Sequence, residues 1–370
     1  MIKNYIAYLW KKTYKIVLIA FLVFFLLYPV VMLVQGEPYL VHFSYGYETE
    51  THEWITVDTN YTYIHSQDTL LYMLTILAMA SSYLIPLMVQ ATFQNKKRCD
   101  NLLSLPLKKQ TQILLTSAYG FVVFLIVWWL TALIGLGTSF IVNLRYNVPY
   151  FFLYLLCMSI LSLGVFGITT LFASLMNNVL DSVLMVLISI CIPVAFNSTM
   201  AFDISQTDTW LYTIPIYAAD RITCFFQQEV AYCSEGLREF CQSIEKYNYC
   251  FSYSFGVREI TAISIFTGLG LLSHAISYLL WRKMRAEEMQ TPSQKWYGYP
   301  LAFSALMIFP FYEVSLLQEF SGDYLLLNAI FAVAYFVGMF IFQRKIKFNK
   351  MNLIGFAVTF ITANLLTILI

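Results

Sequence analysis

The run FQNKKRCDNLLSLPLKKQTQ, residues 93–112, is strongly basic and lies between two long apolar segments. It is too short to form a domain. Lys96, Lys97 and Arg98 precede Asp100, whose side chain is placed to cap a short helix carrying Leu102, Leu103 and Leu105. Pro106 ends that helix, because it lacks an amide proton and disfavours helical backbone at Leu105. Lys108 and Lys109 follow, just before the next apolar segment. The stretch therefore reads as a brief helix over 94–106, with a basic start and an apolar face, lying flat on one membrane surface. The plainer alternative is a basic loop that obeys the positive-inside rule.

The flanks of this run set the class of the whole chain. Of 370 residues, 59% are hydrophobic and only 12% charged, about half the charged share of a soluble protein. Apolar runs of some twenty residues recur along the whole length, so the chain reads as an all-α, polytopic helical membrane protein. Spans are expected at about 15–34, 69–93, 112–142, 150–175, 180–200 and 258–281. Three more are expected at about 300–318, 323–343 and 352–370. The first apolar segment has no small-residue cleavage site and is read as a retained span rather than a signal peptide.

Before it, residues 1–14 read as an amphipathic helix in the interface. Ile2, Ile6 and Leu9 share one face with Tyr5 beside them, Lys3, Asn4 and Lys11 lie away from it, and Trp10 is an aromatic anchor. Residues 35–69 carry no Lys or Arg, and HEWITV and YTYIH read as a small hairpin. His42, His52 and His65 lie among acids there, yet their separations match no usual ligand spacing, so no metal is expected. A second polar region, 202–257, precedes the sixth span. WLYTIPIYAADRITCFF is expected at the interface, and EGLREFCQSIEK places Leu237, Phe240, Cys241 and Ile244 on one helical face.

Charge gives the orientation. With the N-terminus inside, the inner segments hold Lys3, Lys11, Lys12, Lys15, Lys96, Lys97, Arg98, Lys108 and Lys109. They also hold Arg282, Lys283, Arg285, Lys295, Arg344, Lys345, Lys347 and Lys350. The outer segments keep only Arg145, Arg221, Arg238, Lys246 and Arg258. Both polar regions then face outside, and 93–112 faces the cytoplasm. Cys224, Cys233, Cys241 and Cys250 share the second outer region, an even number on an oxidising face. Two disulfides are expected there in one of three connectivities, with four reduced thiols as the alternative.

Ionisable groups within the spans are few. Proton-coupled transporters and ion pathways usually require them, since each costs about 2.5–3.5 kcal/mol at mid-membrane on insertion scales. Asp181 is read as a cap of the fifth span, while His274 and Glu313 are candidate intramembrane polar contacts. No HExxH, GxSxG or GxxxxGK[ST] motif is present, so neither catalysis nor ATP binding is expected of this chain. A transporter built this way draws its energy from another polypeptide. Two rival classes stand beside it: an intramembrane or interfacial enzyme, which would need a polar constellation inside the spans where only scattered single residues exist, and a membrane sensor or scaffold whose outer region binds a ligand without transport.

Two segments carry a resemblance. KKRCDNLLSLPLKKQTQILLTSAYG resembles the segment after the second span of type-2 ABC transporter permeases, the bacterial antibiotic- and peptide-export class, through Lys97, Asp100, Ser104, Leu105, Pro106, Lys108 and Lys109. LFASLMNNVLDSVL resembles the turn between their fourth and fifth spans, with Asn177-Asn178 where a Gly-Asn pair is common. The likeness covers about residues 1–285. It implies a six-span permease core over 15–281 and leaves 282–370 as a cytoplasmic linker with about three extra C-terminal spans. It also implies that Lys97, Asp100, Leu102, Leu103, Leu105 and Pro106 couple to a separate ABC ATPase subunit, which binds ATP and Mg. The family further implies a second permease as homo- or heterodimer partner, the bacterial cytoplasmic membrane as location, and a hydrophobic or amphipathic compound or peptide as cargo. Nucleic acid is not an expected partner.

Overall fold

A computed structural model describes residues 2–35, 39–43, 46–48, 53–55, 59–63, 65–96, 99, 107–141, 147–200, 211–231, 256–283, 289, 298–316, 324–344, 346, 348 and 350–369. Their helices are α1 (Ile2–Gln35), α2 (His65–Gln94), α3 (Lys109–Ile141), α4 (Val148–Ser174), α5 (Val179–Met200), α6 (Pro215–Ala231), α7 (Val257–Leu280), α8 (Tyr299–Leu316), α9 (Tyr324–Gln343) and α10 (Lys350–Leu369). Among the described residues, eight of these are long and apolar enough to cross a membrane: α2, α3, α4, α5, α7, α8, α9 and α10. The chain is thus a polytopic helical membrane protein by the length and composition of its helices. The first expected span lies within α1, whose described apolar part is Thr13–Phe24.

α1 departs from the expected division at residue 14. One unbroken helix runs from Ile2 to Gln35, because nothing between the amphipathic start and the apolar part breaks a helix. At its start Tyr5 and Leu9 are buried against the protein, whereas Ile2 and Ile6 are exposed.

Between α1 and α2 the backbone forms two nested antiparallel ladders. β1 (Tyr39–Phe43) pairs with β4 (Thr59–Tyr63), Tyr39 opposite Tyr63 and Phe43 opposite Thr59. β2 (Gly46–Glu48) pairs with β3 (Glu53–Ile55), Gly46 opposite Ile55. HEWITV and YTYIH therefore pair with segments before them and not with each other. Alternation in the sequence marks strands without saying which two meet.

α4 organises the bundle. It is apolar on every side, as a helix surrounded by other helices must be, and its buried residues include Tyr154, Met158, Leu161, Phe166 and Ala173. Its most extensive partner is α7, followed by α2. The α4–α7 crossing is built on glycine. A Cβ at Gly164 would lie 2.5 Å from Phe266 O, and one at Gly167 would overlap Gly270 O. Small residues at such a crossing let two backbones approach, which is how membrane helices gain van der Waals contact. α7 begins with Glu259 turned back to accept a hydrogen bond from Gly256 N at 2.9 Å, satisfying one of the amide donors left open at a helix start.

α6 was expected to lie at the interface, yet it packs into the bundle. Ala218, Ala219, Ile222, Thr223 and Phe226 are buried against the core of α2 and α4. Thr75 Oγ1 meets Tyr154 OH at 2.8 Å and also pairs with Thr223 Oγ1, and Tyr154 OH donates to Leu71 O at 3.0 Å. These bonds join α2, α4 and α6 through groups that would be costly to bury alone. EGLREFCQSIEK lies outside the described residues.

The C-terminal spans form a unit on α5. Met185 and Ile188 of α5 share a core with Met307, Phe311 and Tyr312 of α8, Tyr335 and Phe342 of α9, and Ala363 of α10. Aromatic pairs stack within it, Tyr299 on Phe342 with ring centroids 4.1 Å apart. The cap of α5 is Asn178 rather than Asp181: Leu180 N donates to Asn178 Oδ1 at 3.1 Å. Asp181, in the first turn, is buried and instead pairs with Arg344 of the α9 terminus, Nη2 to Oδ1 at 3.5 Å. Arg344 has φ 51°, the left-handed conformation that often ends a helix.

Candidate functional site

Of the described basic residues, Lys3, Lys11, Lys15, Lys96, Lys108, Lys109, Arg282, Arg344 and Lys350 occur at α1, the α2–α3 connection or the matching connections after α7 and α9, whereas Arg221 is on α6 and Arg258 at the start of α7. At this basic end a small core gathers segments distant in sequence. Tyr5 and Leu9 of α1, Phe93 of α2, Ile113 of α3, Trp281 after α7, Met289 and Cys99 are buried together, with Leu107, Leu115 and Tyr119 packed on them. Phe93 meets Trp281 edge-on, centroids 4.9 Å apart, a geometry that suits the aromatic quadrupoles.

That core brackets the basic stretch. At its start, Cys99 N donates to Asn95 O at 2.8 Å. At its end, Gln112 Nε2 donates to Leu107 O at 3.1 Å and Gln110 Nε2 to Tyr278 O at 3.3 Å. Lys97, Asp100, Leu102, Leu103, Leu105 and Pro106 lie outside the described residues; the structure places their two anchors.

Gln94, the last residue of α2, makes the connection that sequence reasoning missed. Its Nε2 donates to Ala173 O at 3.1 Å and Met176 O at 3.0 Å, and reaches Ser182 Oγ. Ala173 is in the last turn of α4 and Met176 lies just beyond it, where main-chain acceptors are not all used within the helix. One side chain thus ties the entry of the basic stretch to the α4–α5 turn, the second segment of the resemblance. A buried Gln on an otherwise apolar helix was the available signal, but its acceptors lie 79 and 82 residues away in sequence.

One turn earlier, Gln90 is fully buried, and its Oε1 and Nε2 have no hydrogen-bond partner among the described residues. An unpaired buried amide costs about 1–3 kcal/mol. Gln90→Met, similar in length and apolar, is therefore expected to raise the thermal midpoint of the detergent-solubilised chain. A lowered midpoint would mean that the amide is satisfied by a group beyond those described.

The remaining sequence candidates are dispersed. His274 is partly buried on α7 with its ring 6.1 Å from that of Phe166, and Glu313 is on α8. No hydrogen bond or ion pair joins the two among the described residues, so they make no common site. Cys224 is a free thiol, against the disulfide expected for it, and its Sγ lies 2.9 Å from Tyr72 OH. It sits on the bundle-facing half of α6, where Thr223 and Phe226 dock. Cys233, Cys241 and Cys250 lie outside the described residues.

Burial pushes the Cys224 thiol above its ordinary value, with the nearby Asp220 adding to the rise. The thiolate is the reactive form, so Cys224 is expected to react slowly with maleimide near neutral pH and faster as pH rises, with no dependence on prior reduction. Mass-spectrometric peptide mapping after timed labelling reads this directly. Labelling of Cys224 only after dithiothreitol would restore the disulfide.

No protein-family model, curated protein or solved structure matches this chain.

Proposed function

We propose that this chain is the membrane-spanning permease subunit of an ATP-driven ABC exporter of the type-2 class. One observation carries the reading: the short basic stretch between α2 and α3 is anchored at both ends in a buried core, and Gln94 fastens its entry to the α4–α5 turn. A solvated basic loop needs no such fixing, whereas an element that passes force from a partner into the bundle does. Residues 94–106 dock in a groove of a separate ATPase subunit, which binds ATP and Mg. Closure of two such ATPases pulls the stretch, and the Gln94 link carries the pull to the fourth and fifth spans. Two permease halves, identical or related, then alternate between inward- and outward-facing forms and move a hydrophobic or amphipathic compound or peptide.

In this reading the basic end faces the cytoplasm of a bacterium, as the distribution of Lys and Arg requires under the positive-inside rule. The C-terminal unit on α5 is an addition to the six-span core, pinned by Asp181 and Arg344. The test is proximity. A photoreactive amino acid at Leu102 is expected to cross-link to a chain carrying a GxxxxGK[ST] loop, while the same group at exposed Val333 on α9 is not. Cross-linking from Leu102 to lipid alone would return the stretch to a basic loop and favour the sensor or scaffold class.

A further inference from the structure

A long apolar slot runs between α1, α2 and α3, with a cavity volume of about 200 Å³. On α1 its walls include Tyr5, Leu9, Thr13, Val17 and Phe24, a rise of about 28 Å along the helix. Across from them stand Met88 and Val89 of α2, and Val123 and Val127 of α3. The slot is extended and thin, so its shape fits a chain and not a compact ring system.

The lining contains five hydroxyls, and each is already engaged. Tyr5 OH and Thr116 Oγ1 meet at 2.8 Å, and Thr13 Oγ1 and Tyr119 OH at 2.6 Å. Thr92 Oγ1 donates to Val89 O at 2.7 Å. No polar wall group is left for an occupant, and binding a polar body there would strip its water without replacement. The occupant's buried part is an unsubstituted alkyl chain.

Charge at one end defines the rest of the molecule. Lys96 lies one turn beyond the slot residue Phe93, and Lys109 two turns before the slot residue Thr116, with Lys108 next to it; Lys96, Lys108 and Lys109 are exposed. α1 and α3 contain no Asp or Glu, and Asp68, the sole acid of α2, is at that helix's other end. Asp100, and Glu287 and Glu288 before Met289, lie outside the described residues. The walls of the slot run toward this basic end through Phe93 and Thr116, and basic clusters at a membrane surface attract acidic headgroups. We propose that the slot holds one acyl chain of an anionic membrane phospholipid, its phosphate against Lys96 and Lys108. The proposal rests on the membrane character of the bundle and is independent of the permease reading.

The test uses vesicles of phosphatidylcholine containing a trace of phosphatidylglycerol or phosphatidylcholine with the same diazirine-bearing acyl chains. After irradiation, labelled peptides are mapped. Slot peptides are expected to take at least five-fold more phosphatidylglycerol than phosphatidylcholine, while α9 around exposed Val333 and Val337 takes both equally. Val17→Phe with Val123→Phe, which fills the slot, is expected to reduce slot labelling to the α9 level. Lys96→Glu with Lys108→Glu is a second variant that leaves the apolar walls intact. It is expected to abolish the preference for phosphatidylglycerol. Equal slot labelling by both lipids in the unaltered chain overturns the proposal. So does unchanged labelling in a filled variant whose thermal midpoint is preserved. Equally strong labelling by a cationic alkyl diazirine also overturns it, since the slot would then take apolar cargo regardless of charge.

Discussion

Replacing Leu102 and Leu103 together with Asp is expected to abolish coupling between ATP hydrolysis and transport while the chain still inserts and pairs. Each Leu offers about 1.5–3 kcal/mol of apolar burial if fully covered by a partner groove, and each Asp would bring a charge into that groove. The same two changes on a solvated loop fall within about 0.5 kcal/mol apiece. The size of the effect therefore separates a docking helix from a basic connection. The measurements are the amount of ATPase retained on purification and cargo movement per ATP hydrolysed in proteoliposomes. Pro106→Ala is the milder companion, expected to lengthen the helix and misplace the entry into α3, with partial loss of coupling. Full retention of the ATPase together with normal transport by the double variant would contradict the docking role.

The second large effect is expected at the α4–α7 crossing. Gly167→Val and Gly270→Val each place a side chain against the opposing backbone, Gly167 against Gly270 and Gly270 against Gly164. A flexible neighbouring side chain can yield, but a helix backbone cannot without moving the helix. Overpacking of this kind costs about 1–3 kcal/mol and at times more, and a backbone clash belongs at the upper end. The consequence reaches the candidate site, because the Ala173 and Met176 carbonyls that hold Gln94 lie in the last turn of the same α4 and just after it. Gly268→Ala is the matched control on α7, where an added Cβ meets nothing within 4 Å. It is expected to be neutral or to stabilise by about 0.5–1 kcal/mol through restricted chain entropy. Thermal unfolding in detergent and the yield of monodisperse protein check the series. Equal midpoints for Gly167→Val and Gly268→Ala would show that the crossing is looser than the backbone approach implies.

The helical spans were readable because their signal is local: apolar length and the charges that end it. The run expected at about 69–93 overlaps Leu71–Gln94, and that at about 258–281 corresponds to Val257–Leu280. What the sequence did not disclose depends on partners far apart along the chain. HEWITV shows strand alternation, but its choice of Gly46–Glu48 over YTYIH depends on how the loop folds back. Asp181 at a helix start resembles a cap, and its pairing with Arg344 spans 163 residues. WLYTIPIYAADRITCFF reads as an interfacial segment, yet the small Ala218 and Ala219 within it let α6 settle into the bundle. The motif residues from Lys97 to Pro106 were singled out by charge, the spacing of the leucines, proline punctuation and the resemblance. The contacts of Phe93, Trp281 and Gln94 beside them became evident only from the packing.

The central claim is that this chain spends ATP only through a partner. Its most direct test is phosphate release, measured on the rigorously purified chain and again after reconstitution with the ATPase captured from Leu102. The account predicts no turnover by the chain alone, turnover with the partner, and cargo movement that stops when ATP is withheld. ATP hydrolysis by the purified chain, or cargo movement that proceeds at full rate without ATP, would contradict it.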